Sequence, residues 1–160
     1  MNATWLSNPV VRRVLRSLAP WLVGQAALIA VGRLAARRLD RGDETSTDIR
    51  RVYVMSGEEL RPTEPGLSRI RVETVMGGAQ LDLTALPPAP GGIDVIVRAL
   101  MGGVAVRVPK GWTAWWSYRG AMGGVGADAG IQRVTDPAAA DLRVRARAVM
   151  GGVGIESAEL

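Results

Sequence analysis

A short glycine motif recurs along the chain and constrains its fold more than any other feature. Five methionines other than Met1 share one setting, in which an apolar residue precedes Met and Gly-Gly or Ser-Gly follows it. These methionines follow one another at intervals of 21, 25, 21 and 28 residues. A repeat of this period indicates stacked copies of one supersecondary unit. The motif residues are Met55, Gly57, Met76, Gly77, Gly78, Met101, Gly102, Gly103, Met122, Gly123, Gly124, Met150, Gly151 and Gly152.

The residues around each motif have the pattern of strands with one buried face. The fifth residue after each of these methionines is apolar, and the sixth is charged. An apolar residue beside a charged one is the period-two signature of a half-buried strand. Proline and glycine cluster between the copies, as in residues 87–92, and indicate turns. The sequence therefore predicts a mainly β fold over residues 49–160, a β-solenoid of stacked two-strand coils with Met-Gly-Gly corners.

Glycine suits such a corner because it tolerates positive φ and has no side chain to obstruct the neighbouring coil. Each Met is expected to pack inward against the Met of the next coil. A glycine loop that binds phosphate needs a helix after it, whereas strand-like residues such as 104–108 follow these motifs. We therefore favour a structural corner over nucleotide binding. The open edges of the stack are expected to pair with other copies unless they are capped, and only eight residues follow Gly152.

The positive charge of the chain is concentrated at its N-terminus. Residues 1–41 contain seven arginines and one acid, whereas residues 42–160 contain 13 basic and 14 acidic residues. This asymmetry indicates that the N-terminal part contacts a membrane or a nucleic acid. The domain lacks basic patches with interleaved aromatic residues, so a nucleic-acid partner is not expected. Residues 40–48 are polar and are predicted to be a linker.

Residues 1–39 are predicted to be a basic, amphipathic helical segment that associates with a membrane. Pro20 is expected to kink the helix or to begin a second one. The uncharged residues 19–32 correspond to about 21 Å of helix, against a hydrocarbon core of about 30 Å. A helix on the membrane surface, a short tilted span and a helix packed on protein all remain open. The predicted membrane contacts are Arg12, Arg13, Arg16, Trp21, Arg33, Arg37 and Arg38.

Composition argues against an enzyme. The chain has no histidine, no cysteine and a single lysine, Lys110. These absences exclude a Ser-His-Asp triad, a thiolate nucleophile and nearly every transition-metal site. No catalytic residue, cofactor or metal is predicted.

Two surface clusters are further candidates for binding. Trp112, Trp115 and Trp116 are predicted to contact a partner or another surface such as lipid or glycan, the alternative being a cap on an irregular coil edge. Adjacent residues of a strand face opposite sides, so Trp115 and Trp116 should point apart. Arg143, Arg145 and Arg147 alternate with small residues and form either a solvated face or a contact for phosphate or lipid head groups.

Two stretches add a family resemblance to the repeats. They are Leu81-Asp82-Leu83-Thr84 after one motif and Val108-Pro109-Lys110-Gly111-Trp112 after the next. In this order they resemble the C-terminal domain of the cell-wall-active antibiotics response proteins, the LiaF-like family, over residues 49–157. The resemblance implies a β-solenoid-like domain attached to a membrane segment, a role in envelope-stress signalling and a membrane sensor kinase as partner. This chain has one short basic segment where that type has several transmembrane helices.

The sequence thus predicts a non-enzymatic, membrane-associated β-solenoid module on the cytoplasmic face of a bacterial inner membrane. It is expected to act in envelope-stress signalling through protein contacts, with the membrane, other copies of itself and a membrane sensor protein as partners. One alternative is a self-assembling membrane-bound scaffold that polymerises through its solenoid ends. A lesser alternative is a module that binds lipid or glycan.

Overall fold

A computed structural model describes the backbone of residues 9–158, and within the N-terminal helix it describes the side chains of Pro20 and of residues 23 onward. Residues 9–158 contain one long helix, eight strands and one short 3-10 helix. In chain order these are α1 (Pro9–Leu39), β1 (Asp48–Tyr53), β2 (Ser56–Leu60), β3 (Arg69–Asp82), β4 (Ile93–Val108), β5 (Thr113–Met122), β6 (Val125–Ala127), β7 (Gln132–Arg133), the 3-10 helix (Pro137–Ala139) and β8 (Leu142–Ser157).

All eight strands belong to one parallel sheet, which confirms the prediction of a mainly β fold. The strand order is β1-β3-β4-β8-β5-β7, with β2 paired to β3 and β6 paired to β8. The last repeat therefore lies in the interior of the sheet, between β4 and β5, and not at an end. The expectation that β8 forms an uncapped end is wrong, because β4 and β5 occupy its two edges.

The glycine motifs lie side by side across the sheet. Met101 pairs with Met76 on one side and with Met150 on the other, and Met150 pairs in turn with Met122. The first glycine after each of these four methionines has a φ between 121° and 147°. L side chains rarely adopt this conformation, so glycine is required there. The first copy differs, because Met55 itself has the positive φ, of 50°.

Burial changes phase at each motif. In β3, Ile70 and Val72 are buried before the motif, and Ala79 and Leu81 are buried after it. Ile70 and Ala79 are separated by an odd number of positions. In a flat strand with strict alternation, two such residues would face opposite sides of the sheet. The same change occurs in β4 and β8. The part of a strand before its motif is called here the first arm and the part after it the second arm.

Both arms bury their apolar side chains in one hydrophobic cluster. The strands β1, β5 and β7 belong to the first arm, and β2 and β6 belong to the second. The apolar residues five positions after the methionines, such as Leu81, Val106 and Ile155, lie in this core. Half-buried strands were predicted from these positions, and that prediction is confirmed.

The methionines themselves lie outside the core. Their exposed fractions run from 40% at Met55 to 57% at Met122. The prediction that they pack inward is wrong. The phase change occurs at the first glycine, so that the residue before each Met and the Met itself are both on the outer surface of the sheet. The methionines are adjacent to one another as expected, but they stack on the surface.

The helix α1 runs through Pro20 as one element of 31 residues, so no second helix begins there. Among the described residues, its main contacts with the sheet are with β1. The segment predicted as a linker, residues 40–48, is held to β1 by hydrogen bonds between the backbones of Arg41 and Arg50.

Candidate functional site

The described residues offer contact surfaces and no metal site. Across residues 9–158, no three acidic side chains come close enough together to hold a metal ion. The candidate surfaces are α1, a row of exposed apolar side chains on the sheet and the tryptophans of β5.

The end of α1 is held tightly on β1 and on the two residues that follow it. Gly32 lies against Val54, whose Cγ1 atom is 3.0 Å from the place where a β-carbon on Gly32 would stand. The guanidinium of Arg33 donates a hydrogen bond of 3.0 Å to the carbonyl of Met55. Ala36 is buried, and the Asp40 carboxylate accepts a hydrogen bond of 2.8 Å from the backbone N–H of Val52. These contacts hold the last turns of the helix in place.

Four large apolar side chains of the described part of the helix are open to solvent. Val23, Leu28, Val31 and Leu34 are between 58% and 71% exposed. Of the predicted membrane contacts, Arg33, Arg37 and Arg38 are exposed near the end of the same helix. The side chains of Arg12, Arg13, Arg16 and Trp21 lie outside the described residues. None of the helical residues that the structure describes forms a stretch both long and apolar enough to cross a bilayer.

A row of exposed apolar side chains crosses the sheet at the motifs. Val75, Leu100 and Val149 stand immediately before three of the methionines, in register on neighbouring strands, and are 41–51% exposed. We call the combined surface the Met ridge; it consists of Val75, Leu100, Val149, Met55, Met76, Met101, Met122 and Met150. Contiguous exposed apolar surface of this kind marks interaction sites more often than isolated exposed residues do.

A row of arginines runs beside the Met ridge. Arg98, Arg147 and Arg119 lie in register on β4, β8 and β5, three residues before their methionines. We call these three the Arg row. At the β3 end of the row, Glu73 binds Arg50 at 2.8 Å and Arg98 at 3.5 Å. A shallow groove of about 570 Å³ runs between the Met ridge and the Arg row.

The alternating arginines of β8 divide into two groups. Arg143 and Arg145 both bind the carboxylate of Asp94, each at 2.9 Å, so they are not a free cationic face. Burial alone would raise the pKa of Asp94, but hydrogen bonds and positive charge from Arg143 and Arg145 outweigh burial and hold that pKa below its usual value of 3.8. Arg147 is exposed and, among the described residues, belongs to no ion pair.

The three tryptophans have different environments. Trp112 is 3% exposed and lies in the core, so the prediction that it contacts a partner is wrong. It follows a turn in which the Trp112 N–H donates to the Pro109 carbonyl and Gly111 has a φ of 87°, and this turn directs the ring inward. Trp116 packs against the core with Arg133 4.3 Å from its ring centre, whereas Trp115 lies on the outer face near Arg145. The expected opposite orientation of Trp115 and Trp116 is confirmed.

A polar cleft of about 610 Å³ separates α1 from the first strands. Arg33, Arg37, Arg51 and Glu58 line it together with Tyr53. The Tyr53 hydroxyl is buried and has no hydrogen-bond partner among the described residues. Burial raises the pKa of Tyr53 to about 12, and the negative charge of Glu58 adds to this effect.

Comparison of the chain with protein-family models, curated proteins and solved structures found no match.

Sequence reasoning missed the Met ridge and most of the Arg row. The signals were present, because an apolar residue precedes each Met and an arginine stands three positions before Met101, Met122 and Met150. In the sequence, Arg147 belongs to the alternating arginines of one strand. Arg147 becomes part of a row only because β4, β8 and β5 pair in register, which places Arg98 and Arg119 beside it.

Proposed function

We propose that this chain is a non-enzymatic module that lies on a membrane surface through α1 and presents a β-solenoid. What supports the solenoid is the phase change of burial at the same point of β3, β4 and β8. It turns both arms of every long strand toward one core, as coils bent at Met-Gly-Gly require. Parallel pairing of all eight strands agrees with stacked coils.

The observation that carries the membrane proposal is the exposed apolar surface of α1. A helix that served only to cover the sheet would bury its apolar side chains. In α1 the side chains of Val23, Leu28, Val31 and Leu34 are exposed and Ile29 is half-buried, whereas Gly32 lies against Val54 and Ala36 is buried. Arginines accompany these apolar residues, which is the composition of helices that lie at a membrane interface. Arg38 is exposed at the end of the same helix, and its side chain is long enough to extend to the head-group level.

The biological setting is proposed from the resemblance to the LiaF-like family. We place the module at the cytoplasmic face of a bacterial inner membrane, where it regulates envelope-stress signalling through contact with a membrane sensor protein. The Val108–Trp112 stretch that carries the resemblance forms a tight turn ending in a buried tryptophan. This turn has a structural role, because it places the large side chain of Trp112 in the core.

Vesicle flotation of the full chain tests the membrane proposal. The wild-type chain should float with vesicles of phosphatidylcholine and phosphatidylglycerol, and a carbonate wash should remove it, because an interfacial helix is not an integral anchor. The variant with Leu28→Gln and Val31→Gln should bind roughly tenfold more weakly or worse, since two exposed apolar contacts are lost. The control with Leu28→Met and Val31→Ile keeps apolar area and should float like the wild type. Flotation of the glutamine variant equal to that of the wild type would overturn the proposal.

A second candidate function is a scaffold that assembles through the sheet edge. The outer edge of β5 carries a paired strand only at Thr113 and Ala114, where β7 lies. From Trp115 to Met122, no described strand covers that edge. An open edge is a template for pairing with another chain. Sedimentation of the full chain over a range of concentrations and electron micrographs would show growing filaments for a scaffold, and one discrete species for the module proposed above.

A further inference from the structure

We propose that the Met ridge and the Arg row together form a second membrane contact, which docks the sheet on an anionic bilayer. This inference rests on the proposed function of α1, because it assumes that the helix brings the domain to a membrane. It adds a binding surface on the sheet itself and assigns the lipid class, an anionic phospholipid.

The Met ridge has the dimensions of an interfacial contact. It runs from the connection between β1 and β2 across β3, β4, β8 and β5, and neighbouring strands lie about 4.8 Å apart, so the ridge is about 19 Å long. Its three large aliphatic side chains and five methionines are all at least 40% exposed. Methionine is flexible and adapts to irregular apolar surroundings, which suits contact with acyl chains.

The Arg row supplies the charge preference. Arg147 lies in register with Arg98 on one side and Arg119 on the other, so three cations occupy neighbouring strands. Like charges directly opposite one another are unfavourable in a sheet. Glu73 binds Arg98, whereas Arg119 and Arg147 form no ion pair within residues 9–158 as described. A layer of lipid phosphates above the ridge would compensate both charges, while the apolar side chains beside them enter the acyl boundary.

The position of α1 connects the two contacts. Arg33 of the helix donates to the carbonyl of Met55, which is the first residue of the Met ridge. The end of α1 therefore contacts the end of the Met ridge at Met55. An α1 helix from a second copy is a poorer occupant of the ridge, because it carries Arg33, Arg37 and Arg38 toward the Arg row. Charge therefore favours an anionic bilayer over a second copy.

Single-cysteine labelling of the full chain tests this inference separately from the proposed function. The natural chain has no cysteine, so one introduced residue takes a polarity-sensitive fluorophore uniquely. Met101→Cys reports the ridge, Leu28→Cys reports α1 and Gln80→Cys, on the outer side of the second arm, is the control. With vesicles containing phosphatidylglycerol, the Met101→Cys and Leu28→Cys labels should shift their emission to the blue, and the Gln80→Cys label should not.

Two double variants of equal charge change test whether the Arg row causes the preference for anionic lipid. Arg119→Gln with Arg147→Gln should weaken binding, followed with the label at Met101→Cys, by roughly tenfold or more, because each arginine near an anionic surface contributes about a fivefold factor. Arg61→Gln with Arg107→Gln removes the same net charge from the second arm and should change binding by less than about threefold. Equal loss in both variants would overturn the docking surface.

The outcomes distinguish the two proposals. A shift at Leu28→Cys without one at Met101→Cys would overturn the docking surface and leave the role of α1 standing. No shift at either position would overturn both. A shift at Met101→Cys that grows with protein concentration in the absence of vesicles would show that a second copy covers the ridge, and would also overturn the inference.

Discussion

The carbonyl of Gly102 in β4 stands where a β-carbon on Gly151 of β8 would lie. Gly151 also has a φ of 143°. Any side chain there therefore meets both a backbone clash and a strained conformation. We expect Gly151→Ala to lower the free energy of unfolding by about 3 kcal/mol or more. Urea denaturation followed by circular dichroism measures it.

Gly154 is the matched control for this substitution, because it lies in the same strand with no atom near its missing β-carbon. We expect Gly154→Ala to change stability by less than about 1 kcal/mol, in either direction. Equal losses in the two variants would show that the motif glycines are not close-contact positions.

The pairing of Asp94 with Arg143 and Arg145 predicts an acid-sensitive contribution to stability. The pKa of Asp94 in the folded chain lies below 3.8, so the unfolded chain binds the proton more readily. The contribution is therefore complete above about pH 4 and is lost as the pH falls through the folded-state pKa. We expect Asp94→Asn to be less stable than the wild type at pH 7, with the difference shrinking below pH 4. Urea denaturation across this range measures the difference.

The control for acid sensitivity is Glu156→Gln. Glu156 binds Arg107 at 3.4 Å, with both side chains about half exposed, so the pair should contribute less than about 1 kcal/mol. A pH-independent gap between wild type and Asp94→Asn would contradict the assigned role of Asp94.

Tyr53 predicts a loss of stability in alkali. Its pKa is raised to about 12 in the folded chain, against an ordinary value of 10.0. The stabilisation from the neutral hydroxyl is present below pH 10 and is lost as the pH rises from 10 toward 12. We expect Tyr53→Phe to be as stable as the wild type at neutral pH, because that hydroxyl has no partner among the described residues, and to resist alkali better. Unfolding curves at neutral and alkaline pH give the comparison.

Tyr118→Phe is the contrasting variant, because the Tyr118 hydroxyl lies 3.0 Å from the Met122 carbonyl. Its loss should cost about 1 kcal/mol at neutral pH. A similar cost for Tyr53→Phe would show that the Tyr53 hydroxyl has a partner after all.

Substitution of Trp112 should cost more stability than substitution of Trp115, because Trp112 is more deeply buried. Trp112→Ala removes a core side chain that is 3% exposed and should cost about 3–5 kcal/mol. Trp115→Ala removes a partly exposed ring and should cost less than about 2 kcal/mol. Thermal unfolding of both variants measures the two costs. A larger loss for Trp115 would contradict the placement of these rings.

Much of the fold is readable from local sequence. The Met-Gly-Gly copies locate the points at which burial changes phase, and the apolar–charged alternation after each Met identifies the buried positions. Both depend only on a residue and its immediate neighbours. The strand order is not local. The copies in β4, β5 and β8 carry the same motif, so nothing in their spacing indicates that β8 lies between the other two.

The candidate surfaces were harder to predict than the buried positions. Whether Met76 points in or out depends on the residue at which alternation changes phase, and that residue is the first glycine, Gly77. The apolar character of the methionines therefore suggested that they are buried, whereas the structure exposes them. The burial of Trp112 depends on a left-handed Gly111, which the Pro-Lys-Gly-Trp sequence permits but does not orient relative to the core.

Hydrogen–deuterium exchange of the full chain, with and without vesicles containing phosphatidylglycerol, tests the central claim most directly, because it reports on α1 residue by residue. The claim predicts that backbone amides of residues 23–39 exchange more slowly on vesicles, since a membrane-bound helix opens less often. Amides of the second arm, such as those of residues 104–108, should be unchanged. Exchange in residues 23–39 that is the same with and without vesicles would contradict the account.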